Sequence, residues 1–260
     1  MQLQIFQVDA FTDRLFGGNP AAVVPLQNWL PDSVLQAIAA ENNLAETAYF
    51  INNDNGFHLR WFTPAIEVML CGHATLATAH VLCQHLGFAG DELVFDSLSG
   101  KLSVKKDSNF YTLNFPTDNL EQVETPDLLF QALEIDPVEV FRGREDYLVV
   151  VENQAVVENV KPDFRLLAQL GGRGVIVTAP GNEVDFVSRC FFPCAGIDED
   201  PVTGSAHTTL TPYWTKRLGK NELTARQISK RGGALKCHLK GDRTEISGNA
   251  VTYLIGEISI

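Results

Sequence analysis

Several kinds of signal are missing from these 260 residues, and each absence excludes a class of protein. No Cys-x-x-Cys pair is present, the five cysteines are an odd number, and no Asn-x-Ser/Thr sequon occurs. This composition fits a reduced, cytoplasmic chain rather than a secreted disulfide framework. No apolar run approaches the roughly 18 residues of a membrane span; Tyr147–Val151 is typical of the longest. The first residues carry no basic segment and no signal-like apolar core. Positive charge is scarce, with 20 basic against 32 acidic residues and a net charge of −12. Such a field repels polyphosphate, so nucleic acid is not expected as the main partner. There is no Walker A loop, no Gly-x-Gly-x-x-Gly after a strand and no Gly-x-Ser-x-Gly elbow. Gly171-Gly-Arg-Gly174 precedes a strand, the wrong order for a dinucleotide. Cys71-x-His73 and Cys190-x-x-x-Cys194 are thin as zinc ligands, and no metal is expected.

What remains is an ordinary globular composition, 45% hydrophobic and 20% charged, long enough for one large core or two smaller ones. No linker or low-complexity tract divides the chain, but charge does. Residues 1–130 hold 5 basic and 15 acidic side chains, and residues 131–260 hold 15 and 17. Lys216–Arg243 is locally basic, which reads as a solvated face or as a rim attracting small anions. Short strands rich in β-branched and aromatic residues are predicted at 2–6, 21–24, 48–51, 58–62, 93–95, 101–104 and 111–115. Helices are predicted from Asp32 to Asn42, with Asp32 or Ser33 as cap, and from His73 to Leu86, stopped by Gly87. Two more are predicted near Phe164–Leu170 and from Ser205 to Leu218, the latter ended by Gly219.

The second and last of these helices are nearly apolar or open into an apolar stretch, and each follows a strand and a loop. Cys71–Leu82 can be laid on Val202–Leu210 with Gly72 on Gly204 and Ala74 on Ala206. A helix apolar all round must be buried all round. In strand-rich halves the simplest solution is a sheet around each helix. The expectation is therefore an α+β fold of two similar lobes with a cleft between, 1–118 and 119–260, the C-terminal strand returning to the first. Clefts of that kind are common ligand sites.

Three segments could carry chemistry. Glu46 stands at a helix-to-strand junction before an apolar strand, where partial desolvation would raise a carboxylate toward the useful acid/base range; a plain surface carboxylate is the alternative. Gly72 and His73 open the buried helix, whose first amides are unpaired within it and form an anion site; His73 reads equally as a capping residue. Asp198, Glu199 and Asp200 crowd before Gly204-Ser205, either as dipole complementation or as binding groups on a loop held by Pro201. Ser205 and His207 lie two apart and do not share a helix face. Cys83 and Cys237 read as packed thiols.

Taken together, Phe16-Gly-Gly-Asn-Pro-Ala-Ala-Val-Val24, Asn43-Leu-Ala-Glu-Thr-Ala-Tyr-Phe50, Arg60-Trp-Phe-Thr-Pro64, Glu67–Leu76 and Glu199-Asp-Pro-Val-Thr-Gly-Ser-Ala-His207 resemble the signature blocks of the phenazine-biosynthesis PhzF-like family, in order and across nearly the whole chain. The resemblance implies a diaminopimelate epimerase-like fold, with a curved mixed sheet around a central helix in each lobe. It implies Glu46, His73 and Asp200 as catalytic residues and Asn19, Gly72, Gly204 and Ser205 as substrate contacts. The implied activity is cofactor-independent isomerisation: a proton is moved on a small anionic carboxylate by Glu46, in a homodimer. Related epimerases use two cysteines. Cys71 matches the first and nothing here matches the second, so a two-thiol racemase is disfavoured. The competing readings are a one-cysteine racemase using Cys71 and a binding or protein-interaction module without turnover. Phe11–Arg14 and Phe191–Ala195 are the expected specificity loops.

Overall fold

The computed structural model describes residues 1–54 and 56–260. Its first ten elements are β1 (Gln2–Ala10), β2 (Asn19–Pro25), α1 (Asp32–Asn42), β3 (Glu46–Asn53), β4 (Gly56–Phe62), β5 (Glu67–Val68), α2 (Gly72–Gln84), β6 (Glu92–Ser97), β7 (Gly100–Asp107) and β8 (Phe110–Pro116). Then follow β9 (Glu121–Gln122), α3 (Asp127–Leu133), β10 (Glu139–Arg142), β11 (Asp146–Val150), α4 (Gln154–Asn159), α5 (Phe164–Leu167), β12 (Gly174–Pro180), β13 (Phe186–Phe192) and β14 (Ile197–Asp200). The chain ends with α6 (Ala206–Leu218), β15 (Glu222–Gln227), β16 (Gly233–Lys240), β17 (Arg243–Gly248) and β18 (Ala250–Ser259). The class is α+β.

The chain divides into two units, 1–114 with 247–260, and 115–246. The last strand counts with the first unit because β18 runs antiparallel to all of β1. Within that unit β1 pairs antiparallel with β2, β2 parallel with β3, β3 antiparallel with β4, β4 parallel with β6, and β6 antiparallel with β7. The short β5 adds antiparallel to β4, just before α2. The second unit repeats the pattern. Here β10 is antiparallel to β11, β11 parallel to β12, β12 antiparallel to β13, β13 parallel to β15, and β15 antiparallel to β16. The short β14 adds antiparallel to β13 before α6. The faint match of Gly72 to Gly204 thus extends to strand order and direction.

Helix α2 meets the expectation of burial all round. His73 to Leu82 are buried without interruption, packed against β1, β2, β3 and β18. Each of Leu76, Val81 and Leu82 contributes about 1.5–3 kcal/mol by leaving water. Its buried threonines stay satisfied within the helix: the Thr75 and Thr78 hydroxyls donate to the carbonyls of Cys71 (2.6 Å) and Ala74 (2.8 Å). Strand β2 is buried on both faces, because Ala22 and Val24 also meet Leu35, Ile38 and Ala39 of α1.

Helix α1 has the predicted bounds but not the predicted cap. Pro31 precedes it and no side chain caps it; Asp32 instead accepts from Arg60 at 2.9 Å. Helix α2 ends at Gln84 with His85 as its cap, two residues short of the expected end at Leu86 before Gly87, and α5 stops at Leu167. Helix α6 ends at Gly219 in the left-handed region, as predicted. The short α3 and α4 lie outside the predicted helices; α3 buries Leu129, Ala132 and Leu133. In the basic stretch 216–243, Lys220, Arg226 and Lys240 pair with Asp185, Glu183 and Glu245, which supports the solvated-face reading.

Both central helices bury histidine, α2 twice, at His73 and His80. His207 in α6 is fully buried, and burial pushes its pKa down to about 4. In α2, burial and then the neighbouring His85 push His80 down to about 4. An unfolded histidine near 6.5 takes up its proton first as pH falls, so folding stability is intact above 6.5 and declines toward pH 4. The decline is about 1.4 kcal/mol per pH unit for each group. Urea midpoints should therefore fall between pH 7 and pH 5, and His207→Asn should flatten the profile by about one histidine's share. An unchanged slope in that variant would contradict the assignment.

Candidate active site

A glycine in a tight place sets the entrance to β2. Gly18 has φ +63°, and a Cβ there would lie 2.1 Å from the Ala10 carbonyl oxygen. The turn it permits puts Asn19 at the first position of β2, fully buried. Strand β3 begins with Glu46, registered beside Ala21 in the parallel β2–β3 pair. Two neighbouring strand starts thus deliver an amide and a carboxylate to the opening turn of α2.

There they meet His73. Its Nδ1 is 3.3 Å from Asn19 Nδ2 and 3.4 Å from Cys71 Sγ. Both neighbours are donors, so Nδ1 accepts and the ring proton sits on Nε2. Nε2 lies 3.2 Å from Glu46 Oε2. That contact is within ion-pair reach but off the line of a hydrogen bond, so the buried Nε2 keeps its hydrogen-bonding capacity for a further partner. Burial pushes His73 down to about 3, so at neutral pH it is an uncharged ring and not a cation. The Glu46 side chain is 13% exposed, neither a surface carboxylate nor a sealed one. The cap of α2 is Cys71, with no side-chain cap bond, so the histidine is not the helix cap. The first amides of α2 therefore form the positive end of a buried helix beside a carboxylate and a neutral imidazole.

In the second unit the three carboxylates separate. Asp198 is exposed on β14, Glu199 takes two bonds from Arg189 (2.7 and 2.9 Å), and Asp200 is buried. They belong to a strand and not to the first turn of α6, which counts against dipole complementation. Asp200 Oδ2 accepts from the Thr203 hydroxyl. His207 turns into the core, its Nδ1 2.8 Å from the Thr203 carbonyl, and makes no pair with Ser205.

Two residues central to this arrangement escaped the sequence reading. Gln227, fully buried at the end of β15, accepts from the Thr203 amide (2.8 Å) and donates to the Asp200 carbonyl (2.7 Å) and the Thr203 hydroxyl (3.2 Å). It clamps the Asp-Pro-Val-Thr turn. Gln227→Leu should cost about 1–3 kcal/mol for each buried group left unmet, seen in urea unfolding; a loss under about 0.5 kcal/mol would mean the clamp carries nothing. Arg173 is the other. Its NH1 donates to Ser205 Oγ at 2.9 Å, while Nε and NH2 grip the buried Asp146. Gly172, at φ +81°, makes room for the neighbouring Arg142: a Cβ there would lie 2.4 Å from the Arg142 guanidinium. Register places Asp146 beside Gly174, as Ala21 lies beside Glu46. The Asp146–Arg173 pair thus lies at the start of the second unit's parallel strand pair, as Glu46 lies at the start of the first unit's, and the strand-order repeat is the signal that could have found it.

The family model described as phenazine biosynthesis-like protein matches residues 8–256. The chain belongs to the phenazine biosynthesis-like family. An uncharacterised isomerase of Pseudomonas aeruginosa is 52% identical over 260 residues, all of both chains. A PhzF family crystal structure from Enterococcus faecalis is 47% identical and superposes with a TM-score of 0.98, covering all of both chains. A hydroxyproline epimerase from Agrobacterium vitis shares 11% identity at a TM-score of 0.63, covering 99% of this chain and 92% of that one; this is a likeness of fold. Within the described residues of this phenazine biosynthesis-like protein, no helix is long and apolar enough to cross a membrane.

Proposed function

We propose that this protein is an isomerase that moves a proton on a small carboxylate-bearing substrate, with Glu46 as the general acid/base. One observation carries the reading: a part-buried carboxylate, a neutral histidine and the opening amides of an apolar helix converge within one unit. A relative 52% identical over its whole length bears the name isomerase, which supports the reaction class. In this mechanism the amides of Gly72 and His73 hold the substrate carboxylate and the charge that develops beside it. Glu46 takes the proton from carbon and returns it at another carbon or face. Neutral His73 donates from Nε2 and, held by Asn19, keeps its orientation. On the family resemblance, Asp200 enters as a third catalytic residue and Gly204 and Ser205 as substrate contacts. The reaction so drawn needs no cofactor.

General base catalysis supplies about 10²–10⁴-fold, too little alone for a weakly acidic C–H. Oriented donors add about 10²–10³-fold each. The test is a thermal-shift screen of small carboxylates followed by deuterium incorporation from D₂O into each hit. Incorporation at carbon is the expected result; binding of several hits with none would favour the non-catalytic module. The second reading, a racemase using Cys71, has the 3.4 Å contact of its sulfur with His73 in its favour. A Cys71→Ser variant that keeps incorporation removes it.

A further inference from the structure

One ligand atom each from Glu46, Cys71 and His73 lies within 4.8 Å of the other two. We propose that these three side chains form a site for a thiophilic divalent ion of the zinc class, and that an ion bound there takes Glu46 out of proton transfer. The second clause rests on the function proposed above; the binding itself does not.

The donor set decides the kind of ion. Sulfur, imidazole nitrogen and carboxylate oxygen suit zinc and its heavier relatives, whereas magnesium and calcium take oxygen shells. Charge balances as well. A thiolate and a carboxylate neutralise a divalent ion, and the imidazole adds none, so the filled site leaves no net charge in a largely buried place. The Cys71 proton passes to solvent as the sulfur–metal bond forms, and the ion sheds water for the three ligands.

His73 supplies the observation that points into the site. Its side chain is only 7% exposed, and Nε2 has no hydrogen-bond partner among the described residues. Neighbouring ligands in a tetrahedral zinc shell stand about 3.5 Å apart, given bonds of about 2.0–2.3 Å. The 3.2 Å between Nε2 and Glu46 Oε2 is close to that. Cys71 Sγ lies 3.4 Å from the other ring nitrogen, Nδ1, and in the proposed site it turns about its Cα–Cβ bond to meet the ion. With Nε2 on the ion the ring proton moves to Nδ1, where the Asn19 carboxamide, turned end for end, accepts it. A ligating histidine held through its other nitrogen is the usual arrangement. The fourth position, left open, falls to water.

Cys71-x-His73 alone, with no Cys-x-x-Cys pair in the chain, is thin as a zinc motif. The third ligand comes instead from β3, 25 residues upstream of Cys71.

Cadmium is the probe, because its bond to thiolate gives an ultraviolet charge-transfer band that needs no substrate. Wild-type protein titrated with CdCl₂ should develop the band to one equivalent and gain thermal stability. Cys71→Ser should lose the band, and Glu46→Gln and His73→Gln should each weaken binding by at least about 10–100-fold, as loss of even outer ligand partners does. Zinc should compete cadmium off. A band that survives in Cys71→Ser, or equal affinity in all four proteins, overturns the site. Should deuterium incorporation be found, one equivalent of zinc should stop it and a chelator restore it. Incorporation unaffected by a bound ion would refute the inhibition while leaving the site. Absence of incorporation in metal-free protein would count against the function and not against the site.

Discussion

Glu46→Gln should abolish deuterium incorporation into any substrate found, by about 10²–10⁴-fold or more, while the variant still folds and still binds the ligand. The reason is local. Glu46 opens β3 beside Asn19 at the head of β2, and its Oε2 lies 3.2 Å from His73 Nε2. Glutamine keeps the size and one oxygen, so the fold of the strand start and the amides of α2 should persist. It cannot accept a proton from carbon. Melting temperature and ligand-induced shift should match wild type within error. The informative comparison is the split: unchanged binding with lost exchange assigns Glu46 to chemistry, whereas loss of both assigns it to binding. Full incorporation by the variant would remove Glu46 from the mechanism.

The largest stability effect should come from Arg173→Met. Asp146 is 2% exposed, and its carboxylate is held by two nitrogens of one guanidinium. Burial works against the charge on Arg173, but its acidic surroundings, Asp146 foremost and Glu145 beside it, outweigh it and hold the arginine above its ordinary pKa. The guanidinium also lies 4.7 Å from the centre of the Phe192 ring. Removing the arginine strands a buried carboxylate, which costs about 3–5 kcal/mol, whereas replacing both partners by neutral groups is often near neutral. The side chain of Arg173 is 29% exposed, so the lower end of that range is expected. Urea unfolding of Arg173→Met should show the loss, and adding Asp146→Asn should recover most of it. A single variant within 1 kcal/mol of wild type, or a double no better than the single, would contradict this account.

The parts of the protein written locally could be read locally. The bounds of α1 and the stop of α6 at Gly219 follow from helical spacing and a left-handed glycine. The unbroken apolar run after Gly72 announces a helix buried on every side, and hence a sheet around it. Glu46 could be placed at a strand start, and the blocks around Asn19, Glu46, His73 and Asp200 carried the family. Asp32, a suitable N-cap by residue type, instead opens α1 after Pro31 and pairs with Arg60, a partner 28 residues away that local pattern does not contain.

Spacing along the chain determined the α+β class, the two buried helices and the candidate acid/base, since those depend on periodicity and on residue types within a few positions. Tertiary structure alone decided which polar groups meet. Asn19 reaches His73 across 54 residues, Gln227 reaches Thr203 across 24, and Arg173 reaches both Asp146 and Ser205. These meetings are set by the register of parallel strand pairs and by turns that only particular glycines allow. A register is a relation between distant segments, and no local pattern in either segment contains it.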